Sequence, residues 1–266
     1  MTDVTNILCL FSNQLTVMSI VALSVRKSRG MSAAIVAVTL LPSTAIANTS
    51  TVFSPDVKEG TSALEYRSSY VPSEGDRRSA FAHRLHYQHA IDDTWRWRVI
   101  GQQSRRGDDT LEYSYTRLEL QMQYREDEEH GHDAALRYEL QISDNSNRPD
   151  RFRVVWTGKK DFEPGWQLRS NILLGREFGE SSGSGVLVEA RFQVTYPVFG
   201  DSRLGIESFS DLNRTSDWGS FDDQEHQLGP ILKSSLGPLK INAGYLWGAS
   251  DGAPDDNFRL IATWNF

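Results

Sequence analysis

A single cysteine, Cys9, is all the thiol in a chain of 266 residues. A disulfide framework and a thiolate metal site are therefore excluded. Long apolar runs are equally scarce. The uncharged, mostly apolar stretches at 15–25 and 33–41 fall far short of the ~20 residues a spanning helix needs, so a polytopic helical membrane protein is excluded. Basic excess is lacking too: 28 Lys and Arg stand against 35 Asp and Glu, a net charge of −7. That is the wrong sign for a nucleic-acid footprint. Neither an internal repeat nor a low-complexity tract is present. Hydrophobic residues (39%) and aromatics (11%) are spread throughout, which excludes a mostly disordered chain.

The amino end reads as a targeting segment. Arg26-Lys27-Ser28-Arg29 precedes a short apolar stretch, and Ala45-Ile46-Ala47 stands before Asn48; this is the layout of a cleaved secretory signal. Met18, rather than Met1 or Met31, would put the basic cluster in a conventional leading region. A buried helix is disfavoured because Pro42 is followed by polar Ser43 and Thr44. Removal of residues 1–47 takes out three basic residues and one acidic one, so the remaining 219 residues carry −9 and no cysteine.

Beyond residue 62 the dominant period is two. Ala134, Leu136, Tyr138, Leu140 and Ile142 alternate with Ala135, Arg137, Glu139, Gln141 and Ser143. The same alternation runs through 186–198 and 257–266. On a helix these charges would ring the circumference, whereas on a strand each set takes one face. Turn residues divide the chain into twelve strands, at 62–71, 79–91, 94–104, 111–124, 133–143, 151–159, 166–178, 186–198, 202–212, 224–236, 239–249 and 257–266. Asp92-Asp93, 199–201 and Gly237-Pro238 are tight turns, and they alternate with longer polar connections at 72–78, 105–110, 179–185, 213–223 and 250–256. Two connections on the short side, 125–132 and 160–165, break that rule.

A soluble β-sandwich also alternates, so strand length decides. These strands reach ten residues or more, where soluble strands average about 5–6 and tilted membrane-spanning strands need about 9–11. An even strand count with short connections on one side and long ones on the other is the bacterial outer-membrane arrangement. Aromatics on the apolar face collect at two levels. Tyr70, Phe81, Phe152, Phe178, Trp247 and Phe258 fall near the long-loop end. Trp95, Trp97, Tyr124, Trp166, Tyr196, Trp264 and Phe266 fall near the short-turn end. Two lipid–water boundaries select such girdles. The expected fold is all-β, a single transmembrane antiparallel up-and-down β-barrel of about 12 strands over 62–266, with both termini periplasmic. Residues 48–61 are read as either a periplasmic tail or an inward plug.

Leu260, Ala262, Trp264 and Phe266 resemble the carboxyl-terminal signal of Gram-negative outer-membrane β-barrel proteins, a porin-like class. The glycine often found earlier in such signals is absent. The resemblance implies location in the bacterial outer membrane among lipids and lipopolysaccharide. It also implies recognition of Phe266 by the outer-membrane insertion machinery. It carries no catalytic motif and no cofactor.

With the apolar face toward lipid, the other face lines the lumen. Its cations are Arg67, Arg84, Arg96, Arg98, Arg117, Arg137, Arg151, Arg153, Lys159, Arg169, Arg191, Lys233, Lys240 and Arg259. Its anions are Glu65, Glu119, Glu139, Glu177, Glu189, Glu207, Asp211 and Glu225. This basic excess gives two readings. In one, a basic wall attracts small anionic solutes through a passive channel. In the other, Arg and Glu pair across neighbouring strands and fill a narrow structural or adhesive barrel. Twelve strands lie between filled eight-stranded barrels and open 16–18-stranded ones.

Enzymatic readings are weaker. Ser68 opposite His83 on the lipid-facing rim is the pair a lipid-modifying hydrolase would use, yet the sequence offers no third group to orient the base. His83, His86 and His89 cannot share a metal ion, because a spacing of three puts His86 on the other face. His130 and His132 beside Glu126, Asp127, Glu128 and Glu129 are donor types that suit a transition ion, but an acidic solvated turn is the ordinary occupant of such a position. No enzyme, no cofactor and no metal is expected.

Overall fold

The computed structural model describes residues 47–127 and 129–266. The targeting segment expected over 1–47 lies outside the described residues except for Ala47. The strands are β1 (Ser62–Val71), β2 (Ala80–Ala90), β3 (Trp95–Arg106), β4 (Glu112–Arg125), β5 (His132–Ser143) and β6 (Asp150–Phe162). They continue as β7 (Trp166–Phe178), β8 (Leu187–Phe199), β9 (Ser202–Arg214), β10 (Glu225–Leu236), β11 (Leu239–Gly248) and β12 (Asp256–Asn265). Each pairs antiparallel with its sequence neighbour, and β1 pairs with β12 from Ala63↔Asn265 to Tyr70↔Phe258. The sheet therefore closes on itself and leaves no unpaired edge, the condition for strands to cross hydrocarbon.

Strand ends fall within about three residues of the positions read from turn residues, and the largest difference is informative. β6 continues to Phe162, because Lys160↔Leu168, Asp161↔Gln167 and Phe162↔Trp166 extend its ladder with β7. The connection read as 160–165 thus shrinks to Glu163-Pro164-Gly165, in keeping with the other short turns. The 125–132 connection does stay longer. At the tight turns the chain enters left-handed backbone: φ is 51° at Gly200 and 61° at Gly237, a conformation open to glycine without steric cost.

The two faces divide as their residues require. Outward side chains are exposed aliphatics, among them Leu85, Leu118, Leu140, Leu174, Leu204, Ile206 and Leu260. Tyr70, Tyr124, Trp166, Trp247, Trp264 and Phe266 are exposed at the two rims, and Trp95, Trp97 and Tyr196 are half-buried there. The aliphatic band is not free of rings: Tyr138, Trp156 and Phe192 are exposed near mid-strand. Trp156 donates its indole N–H to the Tyr124 hydroxyl at 2.9 Å, so its polar atom is satisfied where water is scarce. Inward side chains are mostly polar and buried, and Arg67, Arg137, Glu139 and Glu207 are 2% exposed or less.

Candidate functional site

Pleating sends every second residue inward, and the strand register then sets which charges meet. Glu119 on β4 takes Arg98 Nη1 at 3.3 Å and Arg137 Nη1 at 3.2 Å. Glu139 on β5 takes Arg153 Nη2 at 2.6 Å and Arg117 Nη1 at 3.5 Å. Arg153 reaches on to Glu189 at 3.0 Å, and Glu189 holds Arg191 at 2.6 Å. The chain of contacts runs from β3 to β8. Glu65 pairs with Arg67, Glu177 with Arg151 and Arg214, and Glu207 with Arg259. Arg96 donates to Gln121 at 2.9 Å, Arg84 donates to Gln102, and Lys159 meets Asp133 at 2.5 Å. Arg169 Nε is buried without a partner, while Lys240 is exposed beside the β10–β11 turn.

Residues 47–59 run through this charged interior. Their partners descend the barrel one level at a time. Asn48 Nδ2 donates to Gln227 on β10 at 2.8 Å. Arg259 on β12 donates to the Ser50 carbonyl at 2.5 Å, and Arg191 on β8 to the Thr51 carbonyl at 3.2 Å. Asn171 on β7 accepts from the Phe53 amide at 2.7 Å and donates to the Phe53 carbonyl at 3.3 Å. Gln121 on β4 donates to the Pro55 carbonyl at 2.8 Å. Lys159 on β6 pairs with Asp56 at 2.6 Å, and Gln123 accepts from the Val57 amide at 2.6 Å. Glu59 N–H reaches Asp93 in the β2–β3 turn at 2.8 Å. Walls on opposite sides of the barrel all touch this one segment, so it lies inside the lumen. Ala47 ends near the long-loop rim, buried with Val71, Ala80 and Ala82.

Two apolar clusters and a cation–π contact accompany those hydrogen bonds. Val52 packs with Phe209 and Leu246, and Phe53 with Val155 and Leu173. The Arg137 guanidinium carbon sits 3.8 Å from the Phe53 ring centroid, a cation–π contact. The charge pattern did not single out the inward Val155, Leu173, Phe209 and Leu246. Their signal was legible all the same, as apolar residues in the inward phase of strands whose other inward positions are polar.

Above the segment, toward the long loops, a cavity of about 270 Å³ is lined by Arg84, Arg117, Arg151, Arg153, Tyr115 and Glu189 among others. It shares Gln102, Tyr115, Gln141 and Arg151 with a second cavity of about 620 Å³, which carries Arg105, Arg106 and Arg148 at the rim. Arg117 Nε and Arg151 Nε are buried without partners. Asp211 and Glu225, neighbours across β9 and β10, face these cations in the first cavity.

The remaining candidates separate on geometry. Ser68 does stand opposite His83, but His83 Nε2 is 3.0 Å from Gln103 Oε1. The sequence reading found no third group near this pair, and Gln103 is one. It comes from β3, whose register the sequence pattern did not resolve. The imidazole also lies against Phe81 and Tyr66, as part of the aromatic rim. His86 faces inward, 3.3 Å from Glu65, away from His83 and His89. In the 126–131 turn, Arg125 and the His130 amide hold the Asp127 carboxyl below its ordinary range. His130 Nδ1 is 3.0 Å from the same carboxyl. Among the described residues no three His, Cys, Asp or Glu side chains converge to hold a metal ion.

A closed antiparallel barrel with an aliphatic belt between aromatic rims outside and an ionic interior is a β-barrel protein of the bacterial outer membrane. In fold it is porin-like. It is similar to the KdgM porin solved in complex with disordered oligogalacturonate, at a TM-score of 0.57 and 10% identity, covering 77% of this chain and 99% of that one. It is likewise similar to the COG4313 outer membrane channel from Pseudomonas putida F1, at a TM-score of 0.58 and 12% identity, covering 79% of this chain and 96% of that one. No family model and no curated protein matches the sequence.

Proposed function

We infer that the protein is a passive outer-membrane channel for small anionic solutes. One observation carries this reading. The cavities on the long-loop side gather Arg84, Arg105, Arg106, Arg117, Arg148, Arg151, Arg153 and Arg191 against Asp109, Glu112, Glu189, Asp211 and Glu225, a basic excess, with hydrogen-bonding Tyr115, Gln102 and Gln141. Such a surface attracts carboxylates and phosphates from outside and offers them paired donors. The channels of similar fold support the same role, and oligogalacturonate in one of them is in line with a carboxylate ligand. The rival reading, a filled structural barrel, is favoured by the Glu119, Glu139 and Glu189 pairings at mid-lumen.

Reversal potential in a KCl gradient across a planar bilayer tests the inference. Arg84 is the informative position, since its hydrogen bond goes to a neutral amide. A unit charge about 4 Å from a permeating ion is worth about 1 kcal/mol in water. Arg84→Glu, a change of two units, shifts anion against cation by up to about 4 kcal/mol before salt screening, so the anion-to-cation permeability ratio is expected to fall by more than tenfold. An unchanged reversal potential would remove the basic wall from the mechanism.

A further inference from the structure

The segment at 48–57 does more than occupy space. It takes the groups that a permeating anion would take. Arg259 and Arg191 are turned onto the carbonyls of Ser50 and Thr51. Arg137 covers the ring of Phe53, and Lys159 holds the carboxylate of Asp56. Asn171 clamps the Phe53 backbone from both its polar sides. Oxygen acceptors and one carboxylate are thus spaced along a segment without secondary structure that faces four basic side chains, each of which also pairs with a wall carboxylate, Glu119, Asp133, Glu189 or Glu207.

Coverage of the lumen is also continuous. The contacts begin at Gln227 and Asn257 near the long loops and finish at Gln123 and Asp93 near the short turns. An extended chain covers at most about 3.3–3.6 Å per residue, so ten residues suffice for a hydrocarbon core of about 30 Å. Covalent linkage to β1 begins at Ser62, at the short-turn end, and once the targeting segment expected over 1–47 is removed this is the segment's single attachment. Residues 58–61 include Gly60, with φ of 71°, and they reverse the chain there.

We propose that residues 48–57 are a tethered occupant of the anion path, bound at the track formed by Arg137, Lys159, Arg191 and Arg259, and that solute passes only when the segment withdraws toward the short-turn side. This rests on the channel reading above and names its gate. The ligand class of the vacated track is a solute bearing carboxylate or phosphate oxygens. The bound segment models that class with its carbonyls and Asp56.

Two variants in planar bilayers test it, with KCl and then potassium gluconate as probes. Deletion of residues 48–57 removes the occupant. If the docked state holds about 90% or more of molecules, conductance rises at least roughly tenfold, and the anion preference rises with it. The second variant keeps the whole chain. Phe53→Cys with Asn171→Cys joins two backbones that a single short side chain already bridges. Beyond residue 47 the sequence offers no competing thiol, since Cys9 is the only cysteine. Oxidised, this variant is expected to stay at baseline, and reduction is expected to raise its conductance above the oxidised level. Equal conductance in wild type and deletion, with no redox effect in the pair, overturns the gate and leaves the channel standing. Silence of the folded deletion variant overturns both the channel and the gate.

Discussion

Ile206→Arg is expected to destabilise the protein in lipid vesicles by about 2–4 kcal/mol, the range for a cation at the midplane of a barrel's outer face. Ile206 sits mid-strand in β9 with 57% of its surface exposed. By exposure alone the substitution would be harmless, because surface changes in water usually stay within about 0.5 kcal/mol. The size of the effect therefore reports which solvent the residue meets. Phe221 supplies the control. It is 54% exposed but lies in the 215–224 loop, where Phe221→Arg is expected to change little. Urea unfolding followed by tryptophan fluorescence reads both. Equal and small effects at the two sites would place the outer face in water.

Glu139→Ala is expected to cost about 3–5 kcal/mol, the loss typical when one partner of a buried ion pair is removed. Glu139 is 1% exposed and shared by Arg153 and Arg117. Without it the two guanidiniums face one another in a site that excludes most water. Coupled replacement, Glu139→Leu with Arg153→Met, removes the closest pair and is expected to recover part of that loss, since Arg117 keeps only Glu119 at 3.9 Å and Glu189 keeps only Arg191. Denaturant midpoints of the three variants give the comparison. A loss under about 1 kcal/mol for Glu139→Ala would be the value of a solvated pair. It would mean that mid-lumen is wet even with residues 48–57 in place. This experiment thus separates a packed interior from a water-filled one without relying on conductance.

Much of the fold was legible because β-structure in a membrane writes itself on the sequence with period two. The run from Ala134 to Ser143 assigns its own faces, and so do 186–198 and 257–266. Turn residues such as Asp92-Asp93 and Gly237-Pro238 mark the ends. Where punctuation was weak, at 160–165, pairing with β7 decided the length, and no local signal carries that information. The lumenal charges were legible as a set but not as pairs. That Glu139 binds Arg153 rather than Gln141's neighbours depends on register and on the stagger of the closed barrel. Gln103 beside His83 was hidden for the same reason. The course of residues 47–59 was the least legible. These residues alternate with no clear period, and their partners, from Asp93 to Arg259, lie 34 to 209 positions away.

By itself the sequence determined the strand count, the strand lengths and which side of each strand is greasy, because those follow from alternation and turn chemistry acting over a few residues. Only the tertiary structure decided how the ionic face is used. Closure of β1 on β12 brings charges from distant strands within a few ångströms of one another and encloses a track that the chain's own amino-terminal segment fills. Neither distance nor enclosure is a property of any local stretch.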